Sequence, residues 1–193
     1  MLIIGLTGYA ASGKTEIANY LKNSYSFTII EFSQIIEEEG KKLGLIKEGL
    51  SLEEKKRKLS EIGAEIRKKY NNEAIFAEFI VRKILEEKIE KAVVVGFRSL
   101  KEVETFRKAF GKNFILVFVY TDAKIRYERR KLQDPSFNYT FEEFLQRDSN
   151  DIKNLGLNKM KEASDYLIDN NSSLEDLFRN VDKMLKTIEA KLN

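Results

Sequence analysis

At 193 residues and 22.4 kDa, with 42% hydrophobic and 11% aromatic residues and a single proline, the chain has the make-up of one folded domain and not of a disordered or fibrous protein. It holds no cysteine and no histidine, which excludes disulfides, thiolate metal sites, a catalytic thiol and an imidazole base. Lys+Arg 34 against Asp+Glu 31 leaves a formal charge of +3, too balanced for a dedicated nucleic-acid binder, so any basic site must be local.

Residues 2–7 form an unbroken apolar run, short enough for a strand and without the alternation of a strand that has one wet face. A central parallel strand is expected there. Similar runs at 27–32, 92–97, 114–120 and 166–169, with helical patterns between them, predict an α/β alternation. The roughly 60 residues between the second and third runs are too long for an ordinary crossover and read as a helical insertion, 33–91. Its helices are expected at 33–43, 52–70 and 73–89, punctuated by Gly44, Gly49 and Asn71-Asn72. Helix starts are marked by capping boxes, Ser51 with Glu54, Ser99 with Glu102, Thr140 with Glu143 and Ser172 with Glu175. The last helix shows a clear apolar stripe through Leu174, Leu177, Phe178, Val181, Leu185 and Ile188. No apolar run approaches the roughly 20 residues of a membrane span, and the N-terminus lacks a signal peptide's basic start and cleavage site, so a cytoplasmic protein is expected.

Directly after the first strand stands Gly8-Tyr9-Ala10-Ala11-Ser12-Gly13-Lys14-Thr15, followed by Glu16, which fits G-x-x-x-x-G-K-[ST] without mismatch in the required strand-loop-helix setting. In such a loop the glycines let backbone N–H groups turn inward on an anion, and the helix aims its positive end at the phosphates. Lys14 then reaches β/γ oxygens while the Thr15 hydroxyl ligates Mg²⁺. Nucleotide binding, with ATP and Mg²⁺ as cofactors, is the prediction. A small GTPase would need D-x-x-G after a strand, and no glycine here has Asp three positions before it. Size disfavours a large motor or AAA ATPase.

The chain resembles the nucleoside monophosphate kinase group, and within it an uncharacterised adenylate-kinase-related branch that is also similar to dephospho-CoA kinase. The residues that carry the resemblance are Phe32-Ser33-Gln34-Ile35-Ile36, Ile62-Gly63-Ala64-Glu65-Ile66-Arg67, Gly96-Phe97-Arg98-Ser99, Arg126-Tyr127-Glu128-Arg129 and Ala163-Ser164-Asp165-Tyr166-Leu167-Ile168-Asp169-Asn170. It implies one domain, 1–193, of three-layer P-loop NTPase architecture. A five-stranded parallel sheet in order 2-3-1-4-5 would carry the acceptor-binding insertion after strand 2 and a lid, 122–154, after strand 4. It further implies that Arg98 grips an acceptor phosphate and that Arg67, Ser33, Gln34, Gly96 and Phe97 line the acceptor site. Arg126, Arg129 and Arg130, with Lys124 and Lys131, match the lid, and the i, i+3, i+4 spacing of the three arginines predicts one shared face. Asn170 and Asn171 fall where this group packs adenine.

The departures are as informative. Related kinases usually place Asp before the third-strand glycine to hold Mg²⁺ through water, and here the residue is Val95; the first aspartate in the chain is Asp122. Gln34 and Glu37 stand where the branch often has Asp and Arg. Glu31, at the end of strand two, aligns with the dephospho-CoA kinase base and is the candidate replacement carboxylate. The expected function is a small-molecule kinase moving the ATP γ-phosphoryl to a nucleotide-like acceptor, a nucleoside monophosphate or a dephospho-CoA-like molecule. The alternative is a nucleotide-binding regulatory module or pseudokinase with little turnover. Partners are expected to be nucleotide-like small molecules, with no membrane and with nucleic acid disfavoured; the sequence leaves the oligomeric state open.

Overall fold

Strand β1 (Leu2–Gly8) is apolar at successive positions and buried along almost its whole length, as only a strand covered on both faces can be. The computed structural model describes residues 1–46, 52–134, 137–154 and 156–192; the expected cap Ser51 and the expected break at Gly49 lie outside them. β1 pairs in parallel with β3 (Lys91–Val95) on one side and β4 (Phe114–Tyr120) on the other. β2 (Thr28–Glu31) adds outside β3 and β5 (Tyr166–Asp169) outside β4, so the order is β2-β3-β1-β4-β5, all parallel.

Helix α1 (Lys14–Tyr25) and helix α9 (Leu174–Leu192) cover one face through Ile17, Leu21, Leu177, Val181 and Leu185. The other face carries the insertion helices α2 (Phe32–Lys42), α3 (Leu52–Tyr70) and α4 (Ile75–Glu86), then α5 (Leu100–Phe110). Three helices thus lie between β2 and β3, with ends that differ from the expected ones for local reasons. Phe32 is the first residue of α2 and not the last of a strand. The Asn72 side chain accepts the Ala74 N–H at 2.9 Å and delays α4 to Ile75.

After β4 the chain runs through α6 (Ala123–Gln133), α7 (Phe141–Asn154) and the short α8 (Leu157–Glu162) before β5. The boxes at Ser99/Glu102 and Thr140/Glu143 form as expected. At the last helix Ser173, not Ser172, is the N-cap of α9, its hydroxyl accepting the Asp176 N–H at 3.1 Å. No helix of the described residues is long and apolar enough to cross a membrane.

Candidate nucleotide-binding site

The parallel sheet brings the C-terminal ends of β1, β3, β4 and β5 to one edge, where α/β sheets place ligands. At the end of β1 the chain must reverse into α1 within a few residues, and it does so through left-handed conformations at Ala11 (φ 58°) and Gly13 (φ 98°), after Gly8 at φ 137°. A Cβ at Gly8 would collide with the Val119 carbonyl, and one at Gly13 with the Asn170 side-chain amide. Both glycines are thus required by backbone shape and by close neighbours. The result is a loop closing on the start of α1, a ready anion site.

The loop is held from outside. Thr121 Oγ1 and Asn170 Nδ2 both donate to the Ser12 carbonyl, at 3.0 and 2.8 Å. Asn170, predicted to bind nucleotide, is buried and serves as a brace for the loop, while its own carbonyl accepts from Arg129 at 3.0 Å. Asn171 lies further out, with its Oδ1 accepting the Asp122 N–H at 2.8 Å. Lys14 Nζ is folded back on its own loop, donating to the carbonyls of Tyr9 (2.6 Å) and Gly8 (3.0 Å). Burial, with the positive charges of Arg126 and Arg98 nearby, lowers its pKa to about 8. Tyr9 turns inward, edge-on to Phe118 with ring centroids 5.3 Å apart, and burial raises its pKa.

Above the loop lies a cleft of about 540 Å³ lined by residues 11–16 together with Arg129, Arg130, Gln133, Asn170 and Leu174. Thr15 stands exposed at its floor. The three arginines of α6 share one side of the helix but not one environment. Arg129 and Arg130 line the cleft, whereas Arg126 is only 2% exposed and turned into the protein. Its guanidinium makes a two-pronged pair with Asp148 of α7 at 2.5 and 2.6 Å and donates to the Thr121 carbonyl at 2.9 Å. It also stacks over Tyr9 (4.7 Å) and Phe144 (5.6 Å). Lys124 and Lys131 lie over the rings of Phe141 and Tyr127.

On the insertion side, Arg98 is exposed at the β3–α5 turn, following Gly96, whose φ is 108°. Phe97 points the other way, into the core against Phe32 and Phe106. Beneath the turn, Glu102 is 1% exposed and accepts the Arg98 and Ser99 N–H groups at 2.7 and 3.2 Å. Burial raises its pKa. Arg67 of α3 reaches the same carboxylate at 3.6 Å, which joins the insertion to the turn that carries Arg98. Ser33 donates to Glu31 at 3.1 Å, and Gln34 is exposed. Glu37 is bracketed by Lys41 and Lys55, both at 2.7 Å, which offset its negative charge.

Glu31 and Val95 are partners in the β2–β3 register, so Glu31 lies one strand over from the third-strand position for which the resemblance implied an Asp. Among the described residues no group of three or more carboxylates gathers to hold a metal ion. The donors present, the Thr15 hydroxyl and the Glu31 carboxylate, suit a hard cation held mainly by phosphate oxygens and water. The sequence reading gave no site role to Asp148, Glu102, Thr121, Gln133 or Leu174; Glu102 stood there only as a capping residue and Leu174 only on the apolar stripe of the last helix.

The AAA domain family model matches residues 4–148. A UPF0200/UPF0201 protein of Archaeoglobus fulgidus is 30% identical over 199 residues, spanning 100% of this chain and 58% of that protein. A UPF0200 protein of Pyrococcus abyssi is 33% identical over 193 residues, spanning 97% of both. The chain belongs to the UPF0200 family. The solved structures like it in fold include small kinases, among them a shikimate kinase from Acinetobacter baumannii (TM-score 0.61, 14% identity, 97% of this chain and 94% of that one). A gluconokinase from Sinorhizobium meliloti gives TM-score 0.55 at 14% identity, over 99% and 95% of the two chains. The UPF0200 chain thus has the P-loop kinase fold.

Proposed function

We propose that this UPF0200 protein is an ATP- and Mg²⁺-dependent kinase that transfers the γ-phosphoryl to a small nucleotide-like acceptor. The observation that carries the reading is the complete P-loop opening on a cleft walled by Arg129 and Arg130, in a kinase fold. Phosphoryl transfer asks little covalent chemistry of a protein; it asks for positioned cations and an excluded, oriented acceptor. The loop amides and Lys14 would bind the phosphates, with Lys14 leaving its contacts to the Gly8 and Tyr9 carbonyls. Arg129 and Arg130 would neutralise charge from the lid side. Arg98, exposed and without a carboxylate partner among the described residues, would orient an anionic acceptor from the insertion side.

The Thr15 hydroxyl would hold Mg²⁺, which when bound would supply charge neutralisation to the phosphates. Glu31 stands as the carboxylate that takes the acceptor proton or orders a metal-bound water, in place of the acid that Val95 lacks. The registry of Glu31 with Val95 supports this assignment. The same valine favours a second reading, a nucleotide-binding regulatory module with little turnover.

The deciding experiment is ADP formation from ATP·Mg²⁺ against a panel of nucleoside monophosphates, deoxynucleoside monophosphates and dephospho-CoA, with wild type, Glu31→Gln and Val95→Asp. Acceptor-dependent turnover lost in Glu31→Gln and unimproved by Val95→Asp is the expected result. ATP binding without turnover on any acceptor decides for the regulatory module.

A further inference from the structure

At the opposite edge of the sheet from the P-loop, the starts of β4 and β5 meet the end of α5 and the last turn of α9 around a second cavity of about 550 Å³. β4 is seven residues long, so the two cavities are separated by roughly 20 Å of strand. The volume falls in the range of small-molecule sites. Its walls are apolar, formed by Phe114, Ile115, Ile188, Leu192 and the ring of Tyr166.

The charges at its rim are unequal. Arg107, Lys112 and Lys191 face a single acid, Asp165. That acid is already engaged: its Oδ2 accepts the Leu116 N–H at 2.8 Å and its Oδ1 lies 3.5 Å from Arg107, which also donates to the Ala163 carbonyl at 2.6 Å. Lys112 and Lys191 are left with no carboxylate partner among the described residues, and Lys191 Nζ sits 5.4 Å from the centroid of the Tyr166 ring. The Tyr166 hydroxyl is closed off from solvent without a hydrogen-bond partner, alone in that among the described residues. Native proteins rarely leave such a group unpaired.

We infer that this cavity is a second ligand site, for a small organic anion with a flat apolar body. The body lies against Phe114, Ile188 and the Tyr166 ring, and the anionic head is held between the ammonium groups of Lys112 and Lys191. Reorientation of the Tyr166 side chain about its Cα–Cβ bond, and not a turn of the ring in place, would bring the closed-off hydroxyl to the ligand as the missing partner. The site does not depend on the kinase reading, because it shares no residue with the P-loop cleft.

The test is titration of the full chain with 8-anilinonaphthalene-1-sulfonate, an aromatic sulfonate whose fluorescence rises in apolar surroundings, followed by displacement with benzoate and with phenyl phosphate. One saturable site is expected, with Kd unchanged by saturating ATP·Mg²⁺ and raised about tenfold in Lys112→Gln/Lys191→Gln, whose two exposed lysines can be replaced without disturbing the fold. Tyr166→Phe is expected to weaken the probe about threefold without lowering Tm. The better displacer of the two identifies the head group as carboxylate or phosphate. Absence of saturable binding, displacement of the probe by ATP, or an unchanged Kd in the double lysine variant overturns the inference.

Discussion

Replacing Asp148 tests how α7 is tied to the P-loop. Arg126 and Asp148 are 2% and 8% exposed, and the guanidinium is committed on every side: to both carboxylate oxygens, to the Thr121 carbonyl, and to the faces of Tyr9 and Phe144. Asp148→Ala would leave a buried, uncompensated guanidinium, a loss of about 3–5 kcal/mol for a pair of this kind. For a chain of this length each kcal/mol moves Tm by roughly 2–4 °C, so a drop of roughly 6 to 20 °C is expected in thermal unfolding. The paired replacement Arg126→Met/Asp148→Leu removes both charges and keeps apolar volume, and it should recover most of that loss, since buried ion pairs are often matched by apolar pairs of similar size.

The functional consequence follows from the same contacts. Arg126 fixes Thr121, and Thr121 in turn holds the Ser12 carbonyl of the loop, so Arg126 is proposed as a positioning residue and not a phosphate ligand. The Met/Leu pair should therefore bind ATP·Mg²⁺ within about threefold of wild type by calorimetry, if apolar packing restores the brace. A folded Met/Leu variant with ATP affinity reduced tenfold or more would show that the guanidinium itself reaches the nucleotide, and the positioning argument would be wrong.

Two further predictions concern charge at the loop and at the acceptor side. Burial and two neighbouring cations lower Lys14 to about 8, so the empty fold favours its neutral form: stability is held back below pH 8 and recovered as pH rises toward the ordinary lysine value of 10.5. Lys14→Met should accordingly raise the Tm of the empty protein at pH 7, with the gain fading by pH 10. ATP binding should take up protons near pH 8, read as calorimetric heats that change with the buffer's ionisation enthalpy; identical heats in all buffers would refute it. Arg98→Ala should cut acceptor-dependent turnover by about 10² while leaving the ATP-induced Tm shift in place, and a matching loss of ATP binding would move Arg98 to the nucleotide side.

The strands and the P-loop were legible because their signals are local. Burial on both faces writes continuous apolar runs such as residues 2–7, and the turn from β1 into α1 needs glycine where φ is positive and space is lacking, as at Gly8 and Gly13. The braces behind the loop were not legible, because they are long-range pairings of polar residues that look ordinary in the sequence. Helical spacing puts Arg126, Arg129 and Arg130 on one side of an isolated helix, but that spacing is silent on what packs against each. Arg126 sits at the first turn of α6, under α7, and becomes a core residue. One signal was available: Asp148 follows Phe144 by four positions in α7, on the helix side that packs inward. An acid on an apolar stripe requires a buried cation, and Arg126 is the cation it meets.

The missing third-strand acid shows how a parallel register can change the meaning of a sequence departure. Read along the chain, Val95 removes a carboxylate, and Glu31, more than sixty positions earlier, is unrelated to it. Pairing of β2 with β3 sets the two residues side by side at the C-terminal edge of the sheet, and in a parallel ladder paired residues project to the same face. That is the face on which Val95 packs with the residues of α1, the helix that begins at the P-loop lysine. A carboxylate on β2 therefore sits at the same end of the sheet as one on β3 would, provided the register between the two strands is unbroken. The Val95→Asp substitution then adds a second negative charge beside Glu31 and not a missing one. For that reason turnover is expected to stay flat or fall in Val95→Asp and to collapse in Glu31→Gln; rescue of Glu31→Gln by Val95→Asp in the double variant would show that the two positions are interchangeable, and failure of that rescue would limit the role to the side chain that Glu31 alone provides.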